Sequence, residues 1–297
     1  MPLKARLLAS QGEGIQLLSV HRRCESNADF VRGLKYREPT LPEERKLMLR
    51  SLNDLERYTV SASDGDIGHV INFLLDDMTW AVRYLIVRTN GFFGGKEVLV
   101  APVSFGHIDW STRRFSLSLT QNKVRNCPDV DFDKPVSRQH EWEYCQYYQY
   151  PFYWESGGLS ESIAMPKLLS ITKSKIPLEN QPGDIHLRSA KEMCGYRIQG
   201  IDGEIGHVDD YIVDDETWVI RYLVIDTNNW WVGKRVLIAP KWSHSISWEE
   251  KKVFINMTRD AIKNSPKWNP LASVNREYEL RLYDYYGRPL YWDENHP

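Results

Sequence analysis

Short apolar stretches rich in Val, Ile, Tyr and Trp, broken by turn residues about every ten positions, recur through two long parts of this 297-residue chain. That rhythm predicts strands. Tyr58 to Ala62 and Ile67 to Leu75 form a hairpin around Asp64-Gly65-Asp66, where glycine supplies the positive φ that a tight turn needs. Asp76, Asp77 and Thr79 make a polar turn into a third strand, Trp80 to Thr89. Further strands follow at Glu97 to Ala101, near Gly106 to Trp110, and at Arg114 to Leu119. A closed meander leaves no free edge, so a small β-barrel is expected. The period then lengthens. "RQHEWEYCQYY" after Ser137 and "REYELRLYDYY" after Asn275 read as capped amphipathic helices ending before Pro151 and Pro289. Aromatic tails through Trp154 and Trp292 follow them.

The pattern occurs twice. At a constant offset of 138 positions, "DGDIGHV" from Asp64 meets "DGEIGHV" from Asp202, and "DDMTWAVRYLIVRTN" meets "DDETWVIRYLVIDTN". "GKEVLVAP" meets "GKRVLIAP", and "YYQYPFYW" meets "YYGRPLYW". A repeat of this length and order defines the organisation. The chain divides into an N-terminal arm (1–47), a first module (48–154), a Gly/Ser/Pro/Lys-rich linker (155–186) and a second module (187–297). The arm has no counterpart before the second module. It is expected to be loosely ordered, and Met48 at the start of the repeat raises the question of an upstream extension of the reading frame. Packing of one module on the other, or a homodimer, follows from mutually similar surfaces.

Composition narrows the function. Thirty-eight basic and forty acidic residues nearly cancel, so the positive field of a nucleic-acid surface is missing. Cys24, Cys127, Cys145 and Cys194 form no C-x-x-C pair and read as reduced thiols of a cytoplasmic protein. No apolar run is long enough to span a bilayer as a helix.

Several residues invite a chemical reading. His69 and His207 recur after glycine on the second strand, but two or three further converging ligands are wanting, so no metal is expected. The pairs Asp76-Asp77 and Asp214-Asp215 resemble acid/base dyads, yet adjacent residues at a strand end face opposite ways. Arg83 and Arg221 share strand parity with apolar neighbours and need a partner, for which the turn aspartates are the first choice. Phe92 and Phe93 in "NGFFGGK", and Trp230 and Trp231 in "NNWWVGK", are the leading contact candidates, because an extended segment hides only one aromatic of each pair. No nucleophile motif, phosphate loop or dinucleotide fingerprint appears, and no enzyme and no cofactor are expected.

"DGDIGHV", "DDETWVIRYLVIDT", "GKRVLIAP" and the trailing "DKPVSRQHE" with "YYQYPFYW" resemble the PRC-barrel domains, named for the H subunit of the photosynthetic reaction centre. The resemblance implies a mainly β protein: two tandem small β-barrels, each followed by a short helix and an aromatic-rich tail. It also implies a protein-contact role, as when the H subunit caps a membrane complex or a ribosome-maturation factor binds a ribosomal protein. The expectation is a non-enzymatic interaction platform with a protein partner. The alternative is a small-molecule or ion site between the barrels that draws on His69, His207, Arg83 or Arg221, which a deep pocket lined by them would favour.

Overall fold

The first repeat opens with a three-residue strand, β1 (Leu49–Ser51), and one helical turn, α1 (Leu52–Leu55), capped by the Ser51 hydroxyl accepting from the Asp54 amide. The computed structural model describes residues 48–91, 95–130, 136, 138–152, 187–227 and 234–293. After α1 come β2 (Thr59–Ala62), β3 (Gly65–Asp76), β4 (Val82–Thr89), β5 (Glu97–Val100), β6 (Phe105–Asp109) and β7 (Arg114–Leu117), then the helices α2 (Gln121–Arg125) and α3 (Arg138–Tyr148). The second repeat copies this set as β8 (Leu187–Ser189), α4 (Ala190–Met193), β9 (Arg197–Gly200), β10 (Gly203–Asp214), β11 (Ile220–Asp226), β12 (Arg235–Ile238), β13 (Ser243–Ser247), β14 (Lys252–Ile255), α5 (Arg259–Asn264) and α6 (Arg276–Tyr286).

The protein is mainly β, with two seven-stranded sheets. In the first, strands run β5-β4-β3-β2-β7-β6, antiparallel except where the meander's first and last strands, β2 and β7, join in parallel. The expected closed ring is not completed by hydrogen bonds. The gap lies between β5 and β6, where Pro102, which has no amide donor, starts a 3-10 turn through Ser104 that carries the chain round the corner. The second sheet has the same order, β12-β11-β10-β9-β14-β13, and the same turn at Pro240–Trp242.

Each sheet takes its seventh strand from the other repeat. β1 pairs with β10 through Leu49↔Asp214, Arg50↔Val213 and Ser51↔Ile212, whereas β8 pairs with β3 through Asp76↔Leu187, Leu75↔Arg188 and Leu74↔Ser189. The exchange is reciprocal, so neither sheet is complete within its own repeat. Both repeats belong to one compact unit, Lys46–Pro297.

A second contact joins them. Ala81 and Val219 form an antiparallel bridge, the Val82 amide donates to the Trp218 carbonyl (2.8 Å), and the Ile220 amide donates to the Trp80 carbonyl (2.8 Å). Trp80 and Trp218 both hold left-handed backbone, φ 58° and 59°, a strained state for a bulky side chain. This conformation accompanies the cross-repeat hydrogen bonds at both equivalent turns. Trp218 is 1% exposed and its ring lies 5.1 Å from Phe105 and 6.0 Å from Phe115, inside the first repeat's core.

Apart from the exposed Arg88 near the end of β4, most of β4 and β11 is buried on both faces, one toward the barrel interior and the other beneath a helix. Tyr84 on β4 donates to Glu141 on α3 (2.9 Å), and Tyr222 on β11 donates to Glu279 on α6 (2.7 Å). Asn275 caps α6 by accepting from the Tyr278 amide, and Gly287 ends it in left-handed backbone, two residues before Pro289. The expected cap Ser137 and tail residue Trp154 lie outside the described residues. So do the whole arm (1–47) and the whole linker (155–186).

Candidate functional site

The repeated "DGxIGHV" segment builds the hairpin. Asp64 accepts from the first amide of α2 (Gln121, 2.7 Å), and Asp202 accepts from the first amide of α5 (Arg259, 2.8 Å). Ile67, Val70, Ile205 and Val208 are fully buried. Gly68 and Gly206 are required by close approach, since a Cβ would fall 2.0 Å from the Arg88 carbonyl oxygen and 2.1 Å from that of Asp226.

The two histidines have different surroundings. His69 faces Arg88 across the ladder, whereas His207 faces Asp226, and Asp209 brings a third ligating atom within 4.8 Å of the other two. This is a cation-ligand geometry that sequence reading missed, because Asp226 arrives from the next strand. Arg235 already supplies the counter-charge, with Nε 3.0 Å from Asp209 and 3.9 Å from Asp226. The first repeat holds the reversed pair, Arg88 and Glu97 (2.6 Å), at the positions of Asp226 and Arg235. A cross-strand ion pair of either sign therefore fills this position, and in the second repeat Arg235 offsets one of the two carboxylate charges.

The aspartate pairs divide their work. Asp76 receives the Arg83 guanidinium (3.0 Å) together with the Met78 and Thr79 amides, while Asp77 receives Arg188 of the other repeat (3.4 Å). Asp214 receives Arg221 (2.7 Å) and Asp215 receives Arg50 (2.8 Å) in the same manner. Burial alone would raise the Asp76 carboxyl, but the Thr79 amide and Arg83 outweigh it and hold it below the usual carboxylate range. Arg50 and Arg188 also lie over Trp110 (3.6 Å) and Trp248 (4.2 Å), which fixes both guanidinium groups at the seam. In each pair one carboxylate thus serves its own turn and the other the seam between repeats.

Glu141 and Glu279, essentially unexposed on α3 and α6, escaped the sequence reading. Their signal was an acid on the apolar stripe of both helices. Burial raises the Glu279 carboxyl even with hydrogen bonds from Tyr222 and Tyr291 and the charge of Arg276 nearby.

Where the repeats meet, a cavity of about 270 Å³ opens between the turn Met78–Trp80 and the second repeat. Arg221, Lys241, Tyr283 and Tyr291 line the far side. Of the four residues named for an inter-barrel ligand, Arg221 alone lines this cavity. Phe92, Phe93, Trp230 and Trp231 lie outside the described residues. Among the described residues, no helix is long and apolar enough to cross a membrane.

Residues 186–262 match the family model of the PRC-barrel domain. The match begins at β8 and ends within α5, taking in all seven strands that the second repeat contributes. An uncharacterised protein of Deinococcus radiodurans is 37% identical over 95 residues, which are 30% of this chain and 34% of that protein, so the match spans about a third of the relative's length. The first repeat, outside the matched segment, copies its strand order and seam contacts. The chain therefore carries a PRC-barrel domain at residues 186–262, intertwined with a preceding repeat of the same architecture.

Proposed function

We propose that this protein is a non-enzymatic cytoplasmic interaction platform that offers one protein partner two equivalent contact points. One observation carries the reading. Trp142 on α3 and Leu280 on α6 occupy the same repeat position and are 36% and 45% exposed, although the neighbouring positions turn Tyr144 and Leu282 fully inward. A bulky apolar side chain kept outward twice at one place on a helix is the composition of a contact surface rather than of a solvated face. Strand exchange supports the same reading, because it sets the two helices in one body, and a bivalent surface gains avidity from fixed geometry.

The test is affinity capture with the intact chain beside the double variant Trp142→Glu, Leu280→Glu. A partner held by the first and lost by the second, with the unfolding midpoint unchanged, supports the platform. Retention of the same partners by the folded variant contradicts it. The identity of the captured protein separates a membrane-associated complex of the reaction-centre type from a ribosomal protein.

A further inference from the structure

The cavity between the Met78–Trp80 turn and the second repeat has an unbalanced charge. Arg221, on one wall, is neutralised by Asp214, which is 1% exposed and accepts from both Nε (3.1 Å) and Nη2 (2.7 Å). Lys241 has no hydrogen-bond or ion-pair partner among the described residues, and its ammonium lies 5.9 Å from the ring centres of Tyr283 and Tyr291. Glu279, whose carboxylate holds the lining Tyr291, is already engaged by Arg276 (2.9 Å), Tyr222 (2.7 Å) and Tyr291 (3.0 Å). The lining as a whole therefore holds one uncompensated positive charge.

The remaining surface is flat and apolar. Arg221 stacks on Tyr291 with its guanidinium carbon 4.4 Å from the ring centre, and the Tyr291 hydroxyl is tied to Glu279, so this ring stands as a fixed wall. Val219 and Ile220, with Ala239 and Pro240, supply the apolar side, and Met78, 71% exposed, forms the lip. The volume is near the lower end of small-molecule sites, room for about one ring and a short substituent. The corresponding residues across the approximate two-fold are Glu216 for Met78, Val103 for Lys241 and Cys145 for Tyr283. That side has lost the lysine and gained an acid.

We propose that this cavity binds a small organic monocarboxylate, the carboxylate paired with Lys241 beside Arg221 and the flat apolar body held against Tyr291 under Met78. One net positive charge matches a monoanion better than a dianionic phosphate, and aromatic walls favour a ring over a bare ion. Partial desolvation against the cavity wall and the charge of Arg221 hold the Lys241 ammonium below its usual range, an effect that a bound carboxylate opposes.

The experiment is calorimetric titration of the full chain with benzoate, with benzyl alcohol as the neutral analogue and inorganic phosphate as the bare anion. Benzoate is expected to saturate one site per chain and to bind at least about tenfold more tightly than benzyl alcohol or phosphate, the scale of one charge-assisted contact. Lys241→Val, which installs the residue of the first repeat at an exposed position, is expected to bring benzoate down to the level of benzyl alcohol with an unchanged unfolding midpoint. Lys241→Arg is expected to retain most of the affinity. The site is overturned if benzoate does not saturate, if benzyl alcohol matches it, if phosphate binds more tightly, or if the folded Lys241→Val chain keeps its benzoate affinity. These outcomes are independent of whether a protein partner is captured through α3 and α6.

Discussion

Asn72 and Asp210 occupy the same position of the two repeats, each just after a bulge, and each reaches across the seam to hold the other repeat's first helical turn. Asp210 accepts from the Ser51 hydroxyl (2.5 Å) and the Asn53 amide (3.1 Å). Asn72 donates to the Ser189 hydroxyl (2.8 Å) and accepts from the Lys191 amide (3.3 Å). The bulge in β3 and β10 displaces the register by one residue and aims these side chains at the exchanged strand. One seam contact thus exists in a neutral and an ionisable form within a single molecule.

That asymmetry predicts the effect of Asp210→Asn. Burial pushes the Asp210 carboxyl up from 3.8 to about 6, against the hydrogen bonds from Ser51, Tyr211 and Asn53. A folded-state value above the unfolded one means that folding takes up a proton. This group's contribution is therefore full below pH 3.8, declines as pH rises toward 6, and levels off above it as a destabilisation of up to about 3 kcal/mol. The asparagine variant, bonded as Asn72 is, should gain about 1–3 kcal/mol at pH 7 and gain little at pH 4. Denaturant unfolding at both pH values checks this.

Trp218 tests the shared core. It belongs by sequence to the second repeat and packs by structure against Phe105 and Phe115 of the first. Trp218→Ala should cost about 3–5 kcal/mol, the usual range for a buried large side chain. The loss should appear in amide hydrogen exchange of β6 and β7 as well as of β10 and β11.

The buried arginine pairs predict a non-additive pair of substitutions. Arg221→Met leaves Asp214, 1% exposed, without its cation and should destabilise by about 3–5 kcal/mol. Adding Asp214→Asn removes the stranded charge and should recover part of the loss, because the amide oxygen still accepts from the Glu216 and Thr217 amides. A double-mutant cycle in urea gives the coupling.

Gly68→Ala and Gly206→Ala both set a Cβ well inside contact distance of a neighbouring carbonyl oxygen. Each should cost about 1–3 kcal/mol or more, since backbone rather than a flexible side chain must move. Thermal unfolding of the two single variants, compared with His69→Ala and His207→Ala, separates the role of the glycines from that of the histidines.

Much of this was legible in the sequence and some was not. Strand alternation and the 138-residue repeat gave both sheets, and the parity of Arg83 and Arg221 with apolar neighbours pointed to the turn aspartates that hold them. The exchange of β1 and β8 left no such trace, because a three-residue strand has the same pattern whichever of two equivalent sheets it joins. Nor did the seam ion pairs, since Asp77 and Asp215 look like turn formers until the opposite repeat supplies Arg188 and Arg50. The cavity at Lys241 depends on residues brought together from four separate stretches, and only Arg221 among them stood out along the chain.

Neither repeat completes its sheet alone, which the mass in solution of residues 48–152, produced without the second repeat, puts to the test. The reciprocal pairing predicts a dimer by light scattering, with β1 of each copy added to β3 of the other as it is added to β10 in the whole chain. A folded monomer with undiminished stability would contradict it.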